Sequence, residues 1–424
     1  MLHDRPHCVS VFNTLRRVYY AKKRCIFCGS LNTKKHGTRS KKRNTSFGKR
    51  NLYYQRWYCN DCKRAFKPNQ DHPVNFSMQI RACELYYDSE ASYRAVSRQL
   101  GIAPYRIFKA VNALGANCKS TIDVAFELKP RWSGYLFIDE KRIFIKGMEW
   151  FLLLAVDLKT QDIVHWELVS REDETNVAWF LLIIKMVIKY PFKGVISDLL
   201  PEFFGTVRWL LPGIPHQFCT YHAYRATEFY FKYHYAGGNR LWAEKFLLIT
   251  RIICRCKTLS TALRAIDYLE SHQDELRQAK LIKRMNILRI RFPNLIKRFK
   301  DHNLRPDNNI VENVVKQLNQ KFKKVAGFEF YETACNSIKL LVMRYRFHTF
   351  NCSRIPGNNG KSPLELAGID TNNINWVRFS KKVLIVDSDV MWITPKELPP
   401  LLGRPFRLPT LSTILLLFFN FKKN

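Results

Sequence analysis

The chain has 424 residues, 46% hydrophobic and 14% aromatic, which excludes a disordered chain and allows about two to four domains at ~150 residues each. Lys and Arg number 70 against 35 Asp and Glu, a formal charge of +35, so the expected partners are polyanions, nucleic acid first. The twelve cysteines form no disulfide ladder, Met1–Arg24 is polar and basic without a signal-like apolar segment, and the tail-like apolar run Ile414–Phe419 is far below the ~20 residues of a membrane span; the expected setting is reducing and intracellular, cytoplasm or nucleoid, without a membrane partner.

The charge is unevenly spread. Residues 1–75 carry 18 Lys/Arg and 3 Asp/Glu, residues 131–222 carry 10 and 11, and residues 223–305 carry 18 and 7. Cationic segments thus flank a locally acidic one, as suits gripping phosphates around a carboxylate pocket.

After a basic arm (1–24), Cys25-x-x-Cys28 and Cys59-x-x-Cys62 stand thirty residues apart. Each pair is a tight knuckle whose thiolates hold one side of a tetrahedral ion, so a zinc ribbon is expected over 25–70. Its Zn²⁺ is structural, because four protein ligands leave no open position. Gly29 allows the knuckle to turn, and Tyr53, Tyr54, Trp57 and Tyr58 read as a strand entering the second pair. Lys34 to Arg50 is expected as a basic connecting loop. A redox reading of CxxC needs a thioredoxin-like βαβ unit, which is absent, and the spacing of His7 and Cys8 gives no reason to prefer them as ligands.

Residues 76–120 read as a helix-turn-helix. Phe76–Tyr87 is helical; then Ala95, Val96 and Leu100 form an inward stripe, Gly101 supplies the turn, Ile102 plugs it and Pro104 opens the next helix. Ile107, Phe108 and Val111 face inward, which leaves Tyr105, Arg106 and Lys109 to reach base edges and phosphates. An ordinary helical hairpin has the same pattern; the neighbouring ribbon and the basic chain favour DNA binding.

Gly134–Asp139 reads as a buried strand ending in an acid, with strands at Trp150–Val156 and Ile163–Val169, a helix at Thr175–Tyr190, and a second short apolar run, Gly194–Ser197, ending in Asp198. Acids at the ends of neighbouring strands converge on one crevice and offer hard oxygen ligands for Mg²⁺ or Mn²⁺. A third acid, Glu312, lies on a helix after Asp307, a candidate N-cap. Val311, Val315, Leu318 and Phe322 are expected to be buried, with Asn308, Glu312, Lys316 and Asn319 on a neighbouring face. A solvated face with a Glu312–Lys316 ion pair is the plainer reading of that helix alone. Glu140 should point to the opposite face of its strand from Asp139, and Asp157 falls in a loop away from the crevice. Residues 225–300 look almost wholly helical.

Together these residues resemble the DDE transposases of insertion sequences, over roughly residues 25–370. The resemblance implies an RNase H-like α/β catalytic domain (131–224 and 306–350) with Asp139, Asp198 and Glu312 as its catalytic, metal-holding triad. The step of 59 residues from Asp139 to Asp198 is compatible, and the step of 114 to Glu312 is similar to the subgroup with an all-helical insertion, here 225–305, found in Mutator-like and related elements. That subgroup has a Cys-x-x-His after the second Asp, matched by Cys219 and His222; Lys361–Ile369 also looks like that group. Two ligands make a poor zinc site and a Cys–His nucleophile is the weaker option, so packing or DNA positioning is the preferred role for this pair. The resemblance further implies binding of terminal inverted repeats and target DNA, strand cleavage and transfer, a phosphate contact by Lys316, and a homodimer or larger assembly on DNA. Residues 351–424 are a poorly patterned C-terminal region; Leu411–Asn424 reads as possible out-of-frame readthrough. The alternatives are a non-catalytic DNA-binding protein derived from a transposase, and a nuclease of the same fold.

Overall fold

The structure, a computed structural model, describes residues 25, 30–45, 48–66, 76–89, 91–236, 238–307, 309–325, 327–353, 355 and 357–382; for 41–45 and 48–54 it describes the backbone. The basic arm, Cys28, Asn308 and the residues after Lys382 lie outside the described residues.

The cysteine module is a three-stranded antiparallel sheet of β1 (Thr33–Thr45), β2 (Gly48–Cys59) and β3 (Ala65–Phe66). The stretch expected as a connecting loop is strand β1 instead, paired with β2 from Thr33–Cys59 to Thr45–Gly48 with a bulge between Lys35 and Thr38. Pairing satisfies the backbone of both runs, and the described basic side chains of β1, Lys34, Lys35 and Arg39, are exposed to water.

Four helices follow: α1 (Phe76–Tyr87), α2 (Tyr93–Leu100), α3 (Pro104–Ala116) and α4 (Thr121–Leu128). Ser92 caps α2 through Ala95 N–H, and Gly101 ends it in the left-handed region (φ 65°, ψ 21°). Pro104 opens α3, where its missing N–H costs nothing. Val96, Ile107 and Val111 are buried as the periodicity requires.

The central sheet has five strands in the order β6-β5-β4-β7-β8, with β4 Tyr135–Ile145, β5 Met148–Asp157, β6 Ile163–Val169, β7 Gly194–Ser197 and β8 His216–Phe218. The first three form an antiparallel meander; β7 runs parallel to β4, and β8 parallel to β7. Strand β4 does not end at the first acid. It continues through Asp139 to Ile145, because the β4–β5 hairpin carries its pairing to Ile145–Met148 after β7 has stopped. Alternation along β4 divides the core: Tyr135 and Phe137 face α1–α3 and the late helices, while Leu136 and Ile138 face α5 (Glu174–Leu182) and α6 (Pro201–Leu210). The helix expected to Tyr190 changes to a π-helical turn at Ile183–Val187.

A helical block follows β8: α7 (Thr220–Tyr233), α8 (Arg240–Arg255), α9 (Leu259–Ser271), α10 (Gln273–Gln278) and α11 (Ile282–Leu295), around a core of its own that includes Phe246, Ile253, Leu269 and Leu288. Helices α12 (Asn309–Val325) and α13 (Tyr331–Phe347) return to the sheet, followed by α14 (Pro363–Leu366) and α15 (Trp376–Ser380). Arg346 of α13 makes a fully buried two-pronged ion pair with Asp162, 2.7 Å on each side, and Trp132 Nε1 donates to the same carboxylate (3.0 Å). Among the described residues no helix is long and apolar enough to cross a membrane.

Candidate active site

Parallel pairing of β4 with β7 ends at Phe137–Ile196. Two residues further come Asp139, still within β4, and Asp198, just past the end of β7. Asp139 Oδ1 accepts the Glu140 N–H (3.0 Å), and Asp198 Oδ1 accepts the Leu200 N–H (3.1 Å) at the turn into α6. Burial raises the Asp139 carboxyl to about 8, helped by the charges of Asp198 and, more weakly, Glu312, with the Glu140 N–H acting against them. Asp198 is raised by burial, with the Glu202 charge adding to it and the Leu200 N–H, His222 and Arg291 acting against it.

Glu312 reaches this edge from α12. The helix is seated by Ile310, Val311, Val314 and Leu318, with Val315 and Phe322 partly buried, so the buried stripe is centred one position from the expected one. Asp307 Oδ1 accepts the Asn309 N–H (3.3 Å) as a cap would. Two ties fix the helix. Buried Lys321 donates to Tyr86 O and to Ala91 O (2.9 Å), and Thr220 donates to Pro306 O through N–H (2.7 Å) and hydroxyl (2.8 Å). The second tie joins the start of α7 to the run-in of α12, and leaves His222 Nε2 3.9 Å from Glu312 Oε1. Glu312 thus pairs with His222 rather than with Lys316 one turn on. Asp139, Glu312, Val315, Lys316, Asn319 and Lys323 line one cleft of about 380 Å³, so acids and lysines share a single opening.

Buried Cys219 stands at the N-cap of α7; its N–H donates to Ser197 O (2.8 Å), next to Asp198. The Nδ1 of His222 is buried with no hydrogen-bond partner.

Sequence reasoning set Glu140 aside because it faces the other side of β4, and it does share the Ile138 side of the strand. Yet it belongs to the same electrostatic cluster: burial first, then Asp198, Asp139 and Glu172, push its carboxyl up to about 9. Glu172 was not singled out at all. It sits in the Glu172-Asp173-Glu174 run that opens α5, a pattern that reads as ordinary helix-start acids. Glu140 Oε2 and Glu172 Oε1 are both buried without a hydrogen-bond partner. Asp157 is the last residue of β5 and purely internal: it accepts from Ser133 N–H and hydroxyl (both 2.8 Å), Tyr190 (2.6 Å) and Thr160.

Carboxyls raised by burial and mutual repulsion form a site that a divalent cation would relieve, and an all-oxygen donor set is of the hard type that suits Mg²⁺ or Mn²⁺. The acids stand further apart than the cysteines: among the described residues, only Cys25, Cys59 and Cys62 form a group of three ligand atoms all within 4.8 Å. Cys25 and Cys62 Sγ are 3.6 Å apart, close to the ~3.8 Å edge of a tetrahedron with Zn–S of ~2.3 Å. Cys59 N–H donates to Arg64 O (3.0 Å), closing the turn that carries Cys62. These three residues fit structural zinc.

Tyr105, Arg106 and Lys109 lie in the N-terminal half of α3, Arg106 and Lys109 half-buried. Tyr105 is 62% exposed, and Lys109 Nζ is 4.7 Å from its ring. The other end of α3 is packed on α13, where Asn336 donates to Asn112 Oδ1 (3.1 Å).

No protein-family model and no curated protein matches the chain. Among solved structures, it is similar to a chain in the cryoEM structure of the simian T-cell lymphotropic virus intasome in complex with PP2A regulatory subunit B56 gamma, at 12% identity, over 69% of this chain and 76% of that one, with a TM-score of 0.25. It is likewise similar to a chain of the Drosophila P element transposase strand transfer complex, at 12% identity, over 73% and 94%, with a TM-score of 0.26. Both likenesses are distant.

Proposed function

We propose that the chain is a DNA transposase that cuts and joins DNA strands at Asp139, Asp198 and Glu312 in an RNase H-like domain. What supports this reading is that Asp139 and Asp198 each lie two residues past the last β4–β7 pair, and that Asp139 lines a cleft with Glu312, Lys316 and Lys323. Strand order supports it too: the first strand of the sheet in sequence bears one acid, and the fourth ends at the next.

A divalent cation bound by these acids would polarise the phosphodiester and make a bound water acidic enough to attack it. The chain's own groups do the rest. Asp139, Asp198 and Glu312 supply the ligand oxygens. Lys316 and Lys323 offset phosphate charge at the cleft mouth. His222 Nε2 stands 3.9 Å from the Glu312 carboxylate, whose side chain is 41% exposed. Cleavage leaves a 3′-hydroxyl, and the same alignment serves its attack on a target strand without a covalent protein intermediate.

Under this reading the zinc ribbon on Cys25, Cys28, Cys59 and Cys62 and the α1–α3 unit bind terminal inverted repeats, the latter through Tyr105, Arg106 and Lys109. Two ends cut in concert call for a homodimer or larger assembly, acting in the cytoplasm or nucleoid.

The test is cleavage and joining of labelled DNA bearing the element's ends, with Mg²⁺ or Mn²⁺, in wild type, Asp198→Asn and Glu312→Gln. Metal-dependent cutting and a joined product, both lost in the variants while DNA binding persists, are expected. Cutting retained in Asp198→Asn overturns the assignment. Binding without cutting points to a regulator derived from a transposase, and cutting without joining to a nuclease.

A further inference from the structure

Helix α7 leaves the acid edge of the sheet with a surface that a solvated helix has no reason to carry. Tyr221 is 48% exposed, Phe229 55% and Tyr233 59%. Lys232 is exposed beside them, as is Arg225, whose guanidinium pairs with Glu228 (2.5 Å), a contact a phosphate would have to displace. At 3.6 residues per turn these five side chains wind along one face, over roughly 18 Å. The opposite face is accounted for: Ala223, Tyr224 and Phe231 pack into the core of the helical block. The outward rings are therefore not spill-over from that core.

Three further observations bear on what the stripe meets. It begins one residue from His222, so its near end lies at the acid cleft. Residues 223–305 carry 18 Lys/Arg against 7 Asp/Glu, so the surroundings are cationic. The far rings act as a unit with a cation: Phe229 and Tyr233 have centroids 4.7 Å apart, and Lys232 Nζ is 5.0 Å from the Tyr233 ring. Rings interleaved with cations are what an unpaired nucleic-acid strand requires, since each base offers a π-face and each nucleotide a phosphate. Duplex DNA hides its base faces and would gain only the charge contacts. A protein partner would need a desolvated apolar centre, which Arg225 and Lys232 interrupt.

The geometry points to α7 as a stacking track for an unpaired stretch of DNA next to the cleavage site, with bases on Tyr221, Phe229 and Tyr233 and phosphates on Arg225 and Lys232. The inference rests on the DNA-cleaving reading above and adds that strand separation accompanies cutting.

The test uses the full chain without added Mg²⁺ or Mn²⁺, so that cutting is off while the ribbon keeps its zinc, and a single-stranded oligonucleotide of about 12 nucleotides carrying 2-aminopurine, against the same sequence as duplex. A stacked base is worth roughly five- to 150-fold in affinity, so Phe229→Ala/Tyr233→Ala should weaken single-strand binding by at least about tenfold and abolish 2-aminopurine quenching. Duplex binding should change little, and Tyr233→Phe should behave as wild type. Because the replaced rings are exposed, unchanged melting of the variants is expected and is measured alongside. Unchanged single-strand binding in the double variant overturns the proposal, as does equal loss on duplex. Retained oligonucleotide binding with a fall in sedimenting mass overturns it in favour of contact with a second copy. Asp198→Asn, assayed in parallel for cutting, separates the two claims: it should lose cutting and keep quenching, whereas loss of α7 binding alone leaves the DNA-cleaving reading standing.

Discussion

Replacing Asp139 by Asn should make the metal-free protein more stable while removing its response to metal. The native Asp139 carboxyl holds its proton to about pH 8, whereas the unfolded one releases it near 3.8. Between those values the folded state binds more protons than the unfolded state, so stability falls as pH rises through the window. At ~1.36 kcal/mol per pH unit, keeping this one group protonated in the folded state costs up to about 5 kcal/mol by pH 7.5. Asp198 and Glu312 share the repulsion and side chains relax, so a gain of about 1–3 kcal/mol is expected for Asp139→Asn, a few degrees in melting temperature. A divalent ion bound to the wild-type acids adds stability by mass action, ~2.7 kcal/mol at a hundredfold excess over Kd. The assay is differential scanning calorimetry at pH 5.5 and 7.5, without added divalent metal and in Mn²⁺, the ribbon zinc being left in place. Wild type should lose stability from pH 5.5 to 7.5 without added metal and regain it in Mn²⁺. Asp139→Asn should start higher, depend less on pH and gain little from metal. A variant less stable than wild type without added metal at pH 7.5, with full metal stabilisation, would refute the idea that repelling acids at this edge form a cation site.

Three further outcomes follow from separate parts of the fold. Purified protein should carry about one Zn²⁺ per chain, and Cys59→Ser should lose it, together with the protease resistance of the β1–β2 hairpin and most of its DNA affinity, while the central sheet melts as before; metal analysis and limited proteolysis check this. Removing Arg346 (Arg346→Met) strands Asp162 as a buried, uncompensated charge and should cost about 3–5 kcal/mol in a denaturant titration. At Gly115 of α3 a Cβ would meet the Asn336 backbone oxygen of α13 at 2.5 Å, so Gly115→Ala must part the two helices; a loss of about 1–3 kcal/mol is expected by thermal melting, with Gly101→Ala costing less, because its site is open and only its positive φ is strained.

The sequence alone was enough for those features in which residue type and spacing act over a few residues. The Cys59-x-x-Cys62 pair needs only a tight turn to present its thiolates, and the turn at Gly101 followed by Pro104 needs only local backbone preference. The runs ending in Asp139 and Asp198 showed themselves as short apolar segments meeting an acid. What spacing could not decide was how far β4 extends, because its continuation to Ile145 depends on pairing with β5. Nor could it assign the basic stretch after Thr33 to a strand, since its β-structure comes from its partner, not from its composition. The pairing of Glu312 with His222, ninety positions earlier in the chain, rests on Thr220 gripping Pro306, a contact with no local signature. Glu140 and Glu172 joined the acidic cluster by the same route: period-2 alternation correctly put Glu140 on the other side of its strand, but electrostatic repulsion acts through space and reaches around the edge of the sheet where β7 stops. Local chemistry is written in neighbouring residues; burial, and the charge that burial amplifies, depends on which distant segments close over it, and that only the tertiary structure decides.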